Sequence, residues 1–242
     1  MLTIDCNLMG VIDSEQVLNI GCGQDRHSSE ACQQINCRVW ALDLEEETIK
    51  KAKCFLELMD EKGQFKGKWM LIRADAMSLP FKDASFDKII CSEVLEHLPD
   101  DQQAMREMQR VLKDDGVVAI SVPTYLTEAI CWKLSKDYHN NPGSHVRKYK
   151  VRQLIASLGP NNLHVHAIRY KHALHSTYWL LRCLFGIINE KALIPSLYYK
   201  FLVWDIKTKS KPTRLLESLL NPFFSKSTVF YAHKHQRGCN GA

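Results

Sequence analysis

Two glycines one residue apart, Gly21 and Gly23 in VLNIGCGQD, end an apolar run, and such a turn brings backbone N–H groups against a ligand. About twenty residues on, Asp43 ends the next β-rich run, where a carboxylate accepts both hydroxyls of a ribose. Asp75, in RADAMSLPF, follows a third such run and is placed to accept an adenine amino group. The stretch EVLEH offers Glu93, Glu96 and His97 at spacings of three and four, which on a helix puts all three on one face. A further histidine, His145, lies in GSHVRKY. Histidine is the natural proton acceptor near neutral pH, so these residues together suggest a nucleotide-bearing ligand with acid–base groups beside it.

Positioning those residues requires short strands alternating with helices. Strands are predicted at 17–20, 38–42, 69–73, 86–91 and 117–122, with helices over 45–59 and over 101–112, where Met105, Met108, Val111 and Leu112 share a face. Five strands separated by helices make a parallel, doubly wound α/β sheet, whose ligands bind outside the carboxyl ends of the strands. A helix over 151–158 stops at Gly159-Pro160, and two further strands are predicted at 163–170 and 228–232, for a mostly parallel sheet of seven. The long, mostly helical stretch between those last two is too long for a plain loop. It reads as an insert, 174–225, within a core formed by 1–173 and 226–242.

Charge divides the chain. Residues 1–121 carry 14 Lys/Arg against 22 Asp/Glu, and residues 122–242 carry 18 against 5. Nine cysteines without a CxxC pair argue against a disulfide framework or a zinc site and for buried thiols in a reducing cytoplasm. The first thirty residues lack the pattern of a signal peptide, and the apolar run 178–188, interrupted by Arg182, is shorter than the ~18 residues of a membrane span. The expectation is a cytoplasmic protein, monomeric or weakly dimeric.

Five motifs in order, VLNIGCG, ALDLEEE, ADAMSLPF, FDKIICSEVLEHLPD and REMQRVLKDDGVVAISVPT, resemble class I S-adenosylmethionine-dependent methyltransferases, the small-molecule "type 11" group in particular. Arg26 stands where a dinucleotide fingerprint wants its third glycine, which disfavours NAD. The resemblance covers roughly 15–125 and implies a Rossmann-like methyltransferase fold with S-adenosyl-L-methionine as cofactor. It implies that Gly21 and Gly23 approach the methionine moiety, Asp43 with Leu44 binds the ribose, Asp75 and Ala76 bracket the adenine, and Ser92 with Glu93 lines the pocket. Asn19 stands where the family usually has an acid, and still offers a hydrogen bond to the cofactor's amino group; Asp25 stands where a further glycine is usual.

For the acceptor, His97 and His145 are the catalytic candidates, as base or acceptor contact. With Glu93 and Glu96 they also look like the Glu-x-x-Glu-His plus distant His of ubiquinone-biosynthesis O-methyltransferases and small-RNA 2′-O-methyltransferases, where the set holds a divalent ion; no metal is assigned on the sequence alone. Glu96 facing solvent, and helix-cap or packing roles for these groups, are the competing readings. No Asn-Pro-Pro-aromatic follows the fourth strand and Cys91 lacks a Pro-Cys context, which favours an oxygen acceptor and leaves a carbon acceptor open. His164 and His166 share a strand face, and His172 and His175 fall at a strand-to-helix junction toward the lid, without a metal assigned to either pair. The insert mixes aromatic residues with Lys207, Lys209, Lys211 and Arg214, and suits a lid for a hydrophobic small molecule or lipid with peripheral membrane contact through 174–225. Nucleic acid is disfavoured by the lack of an RNA-binding module, although an RNA methyltransferase stays open, as does a non-catalytic binding protein with a degraded cofactor site.

Overall fold

The computed structural model describes residues 2–23, 26–135, 138, 145–186, 192–208 and 210–235. Asp25, Lys209 and Cys239, all singled out from the sequence, lie outside the described residues. Seven strands form one sheet: β1 Gln16–Ile20, β2 Arg38–Asp43, β3 Lys68–Arg73, β4 Phe86–Ser92, β5 Leu112–Pro123, β6 Leu163–Lys171 and β7 Ser227–Lys234. Their spatial order is β3-β2-β1-β4-β5-β7-β6. Neighbours among β1 to β5 pair in parallel, and β7 inserts antiparallel to both β5 and β6. The chain reverses at β1, between β2 and β4, and the crevice above that switch point is where an open sheet of this kind holds its ligand.

Alternation along the strands builds two cores. Leu18 and Ile20 of β1 join Ile89, Cys91, Val118 and Ile120 on one face. There they meet Met105 and Met108 of helix α3 (Asp101–Val111) and Leu154 and Leu158 of α5 (Val151–Leu158). Val17 points the other way and packs with Val39, Ile90 and Tyr231 against Ala31 and Cys32 of α1 (Arg26–Gln34) and against Ile4 and Met9. Helix α3 starts where the Asp100 side chain accepts the Gln103 N–H at 2.9 Å. Helix α2 (Glu46–Glu61) opens with Glu46 and Glu47, favourable against the positive end of the helix dipole.

Two helices escape the sequence pattern. The α1 segment is mostly polar, and α4 (Tyr125–Leu134) carries apolar residues around much of its circumference and packs against the helical lobe. The lobe between β6 and β7 contains α6 (Ala173–Phe185), α7 (Leu193–Thr208) and α8 (Lys211–Phe224). It is fastened internally where Tyr198 donates to the Leu174 carbonyl at 2.9 Å, and where the buried Asp205 receives both Thr213 and Arg214. Seven of the eight described cysteines are buried, and none of the eight forms a disulfide.

β7 joins the edge strand β6 to the rest of the sheet, and Phe230, 1% exposed, fills the core from it. Phe230→Ala should cost about 3–5 kcal/mol of unfolding free energy. Urea unfolding checks this as a lowered midpoint at unchanged slope.

Candidate active site

The glycine turn is a conformational requirement. Gly21 has φ +65° and Gly23 φ +54°, both left-handed, and a Cβ on Gly21 would overlap Val94 Cγ2. Among the described residues nothing lies within 4 Å of the Cβ position on Gly23. Asp43 at the end of β2 holds this turn: its Oδ2 accepts the Gly23 N–H at 3.1 Å, and its Oδ1 accepts the Glu45 N–H at 3.1 Å. Asp75 stabilises the turn after β3 by accepting the Met77 N–H at 2.8 Å.

These groups surround a cavity of about 530 Å³, lined by Gly21, Gly23, Asp43, Leu44, Asp75, Ala76, Met77, Glu93 and His97 among others. The structure therefore gathers seven of the nine sequence-derived cofactor residues around one space. Asn19 and Ser92 stand apart. Asn19 has the same strand parity as Val17, so it faces α1, where its buried amide donates to Ser28 Oγ at 3.0 Å. Ser92 turns toward β5 and pairs with Ser121 Oγ at 2.9 Å.

The EVLEH stretch corrects an expectation. It is no α-helix: Glu93 takes φ +55°, and only Leu95–His97 closes a single 3-10 turn. The three side chains consequently diverge. Glu93 lines the cavity, its carboxylate 3.8 Å from Lys226 and accepting Ser121 Oγ at 3.3 Å. His97 is exposed at the cavity wall. Glu96 does not face solvent; it is fully buried, and neither carboxyl oxygen has a partner.

Tertiary contacts bring His145 to this turn. Val146 N–H donates to the Glu96 carbonyl at 2.9 Å, and Arg147 donates to the carbonyls of Leu98 and Pro99 at 2.6 and 2.8 Å while pairing with Asp101. The His97 and His145 rings consequently sit 5.0 Å apart. His145 is oriented by a residue that sequence reasoning missed. Glu128 of α4 is 4% exposed and accepts from Trp132 Nε1 at 2.6 Å and from Tyr138 at 3.0 Å, with His145 Nδ1 2.6 Å away. Burial pushes the Glu128 carboxyl up, but these hydrogen bonds, His145 foremost, carry it below its ordinary value. With Nδ1 engaged, His145 keeps Nε2 for a proton or a ligand. A buried glutamate inside the apolar TEAICW was the only sequence signal for Glu128.

Glu96, His97 and His145 place one donor atom each within 4.8 Å of one another. Burial, with the neighbouring Glu93 charge, raises the Glu96 carboxyl well above its ordinary 4.5. A carboxyl raised in the folded state stabilises the fold only at low pH, and that stability is lost as pH rises from the unfolded value toward the folded one. In metal-free protein, the stability of Glu96→Gln relative to the parent should therefore increase with pH above 4.5, by up to about 1.4 kcal/mol per pH unit. Urea unfolding of both proteins at acidic and mildly basic pH tests this, and a pH-independent difference would refute it.

Comparison with known proteins agrees with this geometry. Residues 18–120 match the family model described as "Methyltransferase domain". Over 141 residues the chain is 30% identical to a sterol 24-C-methyltransferase of Eremothecium gossypii, covering 57% of this chain and 34% of that one. Over 113 residues it is 32% identical to a ubiquinone biosynthesis O-methyltransferase of Leptothrix cholodnii, covering 47% and 46%. The matches thus span less than half the length of these curated relatives. A phosphoethanolamine N-methyltransferase 2 of Haemonchus contortus, solved in complex with S-adenosyl-L-methionine, shares the fold with a TM-score of 0.61 at 18% identity, over 96% of this chain and 51% of that one. The glycine turn and the carboxylates at the strand ends suit a nucleoside-bearing cofactor, and the domain at residues 18–120 belongs to the class I S-adenosylmethionine-dependent methyltransferases.

Proposed function

We propose that this protein methylates an oxygen of a hydrophobic small molecule or lipid, working in the cytoplasm at a membrane surface. The observation that carries the reading is one cavity of about 530 Å³ lined both by the glycine turn with Asp43 and Asp75 and by His97, with His145 directly behind. Relatives named for a sterol and for ubiquinone biosynthesis support a hydrophobic acceptor.

The bound cofactor supplies an electrophilic sulfonium methyl group. The protein's share is to orient both reactants, which for an in-line displacement can provide most of the rate. Asp43 accepts the ribose hydroxyls while its hold on Gly23 keeps the turn in shape, and Asp75 and Ala76 flank the adenine. His145, steadied through Nδ1 by Glu128, takes the acceptor's proton at Nε2, and His97 contacts the acceptor from the cavity wall. The orphaned Glu96 carboxyl favours a second reading for the same residues. Glu96, His97 and His145 suit a divalent ion such as Mg²⁺ or Mn²⁺, which would acidify an acceptor hydroxyl.

Calorimetry with S-adenosylhomocysteine, with NAD⁺ as control, tests the cofactor site. Asp43→Ala should weaken binding by about 1.5–3 kcal/mol, the worth of hydrogen bonds to a charged group; unchanged affinity would overturn the assignment. Turnover on quinone-like phenols or lipids that is lost with a chelator and restored by Mg²⁺ or Mn²⁺ would select the cation reading. Chelator-resistant turnover lost in His145→Ala would select the base.

Membrane contact rests on α8. Leu215, Leu219 and Phe223, four residues apart, are 64%, 63% and 77% exposed, and form an outward apolar ridge on the helix that the exposed Lys211 begins. Among the described residues no helix is long and apolar enough to cross a membrane. Phosphatidylglycerol vesicles should sediment with the parent protein and lose most of a Leu219→Glu, Phe223→Glu variant. Equal sedimentation of both proteins would remove α8 from the membrane reading.

A further inference from the structure

We propose that His172, His175 and Glu217 form a second site, for a divalent transition metal of the zinc class, that ties the helical lobe to the edge of the sheet. His172 follows β6 and caps α6, His175 lies one turn further on, and Glu217 reaches them from the middle of α8. One donor atom from each lies within 4.8 Å of the others. No feature of spacing joins them in the sequence; the packing of α8 against α6 does.

The two imidazoles are prepared as ligands and the carboxylate keeps one oxygen open. His172 is 7% exposed and its Nε2 is buried without a partner; His175 Nδ1 is likewise buried and unpartnered. Leaving such atoms unpaired is costly, and a bound cation would satisfy both. Burial holds both imidazoles below their ordinary range, His175 at about 4, so at neutral pH each offers a lone pair. Glu217 receives Arg214 at 2.9 Å on Oε2, which leaves one carboxylate oxygen for the metal.

Neighbouring charge narrows the choice of ion. Lys171, Lys226 and Arg214 oppose a cation here, while Asp205 and Glu217 favour one, and Arg214 is already engaged by both acids. A hard cation that depends on charge is poorly served. Two imidazoles with one carboxylate are a donor set for zinc, which binds such groups at about 2.0–2.2 Å. His172 and Glu217 also line a cavity of about 730 Å³ with Lys171, Ser218 and Asn221, so water has access to a fourth position. The metal would reinforce the existing tie in which Ala173 N–H donates to Asn221 Oδ1 at 3.0 Å.

The test uses the full chain in a Glu96→Gln background, which removes the carboxylate of the other cluster. Zinc chloride titrated into chelator-treated protein should bind at one equivalent and raise the thermal midpoint, and cobalt(II) should give the visible absorption of a tetrahedral site. Adding His175→Gln should lower zinc affinity by at least the ~10–100-fold that loss of an outer-shell partner costs, and abolish the thermal shift. Glu217→Gln, which keeps both rings, carries the same comparison should the histidine variant fold poorly. Zinc affinity and thermal shift equal to the background in these variants would overturn the proposal, as would no zinc binding in the background itself.

Discussion

The structure depends on a steric constraint at one residue. Gly21 has a left-handed backbone and lies so close to Val94 that no side chain fits between them. That contact joins the end of β1 to the turn after β4, and both segments line the cavity. Next to Val94, Glu93 takes positive φ, and the chain that follows closes as a single 3-10 turn. From this come the outward His97, the inward Glu96 and the cavity wall between them.

Electrostatics then divides the carboxylates by environment. Asp43 and Asp75 accept backbone N–H groups at the cavity rim, so they hold the turns that frame the ligand. Glu128 is buried yet held below its ordinary pKa, because three donors surround it. Glu96 is buried with both carboxyl oxygens unpartnered, and burial pushes it well above its ordinary value. Two glutamates in one small volume therefore have opposite protonation behaviour, one suited to orienting a histidine and the other to accepting a cation.

The helical lobe extends the same logic to the far edge of the sheet. Asp205, Thr213, Arg214 and Glu217 form a connected polar network within it, with Asp205 and Glu217 buried, while α8 exposes Leu215, Leu219 and Phe223. This inverts the usual arrangement of a surface helix, in which the apolar face turns inward. A helix that turns a charged residue inward and apolar residues outward leaves its outer surface available to a hydrophobic partner.

The sequence by itself determined what depends on near neighbours and on strand ends. Alternating periodicities specified a mostly parallel sheet, the Gly21 and Gly23 pair specified a turn that only glycine adopts cheaply, and Asp43 and Asp75 fell at strand ends facing the ligand crevice. Side-chain direction was harder to read, because it follows parity and local φ: Asn19 and Ser92 turned away from the cavity, and EVLEH failed to form the helix its spacing suggested. Only the tertiary structure decided the rest. Glu128 reaches His145 across 17 residues, and Glu217 of α8 reaches His172 and His175 at the start of α6, through the packing of helices whose apolar patterns do not reveal their neighbours. Burial sets the protonation of such groups, and burial belongs to the assembled fold.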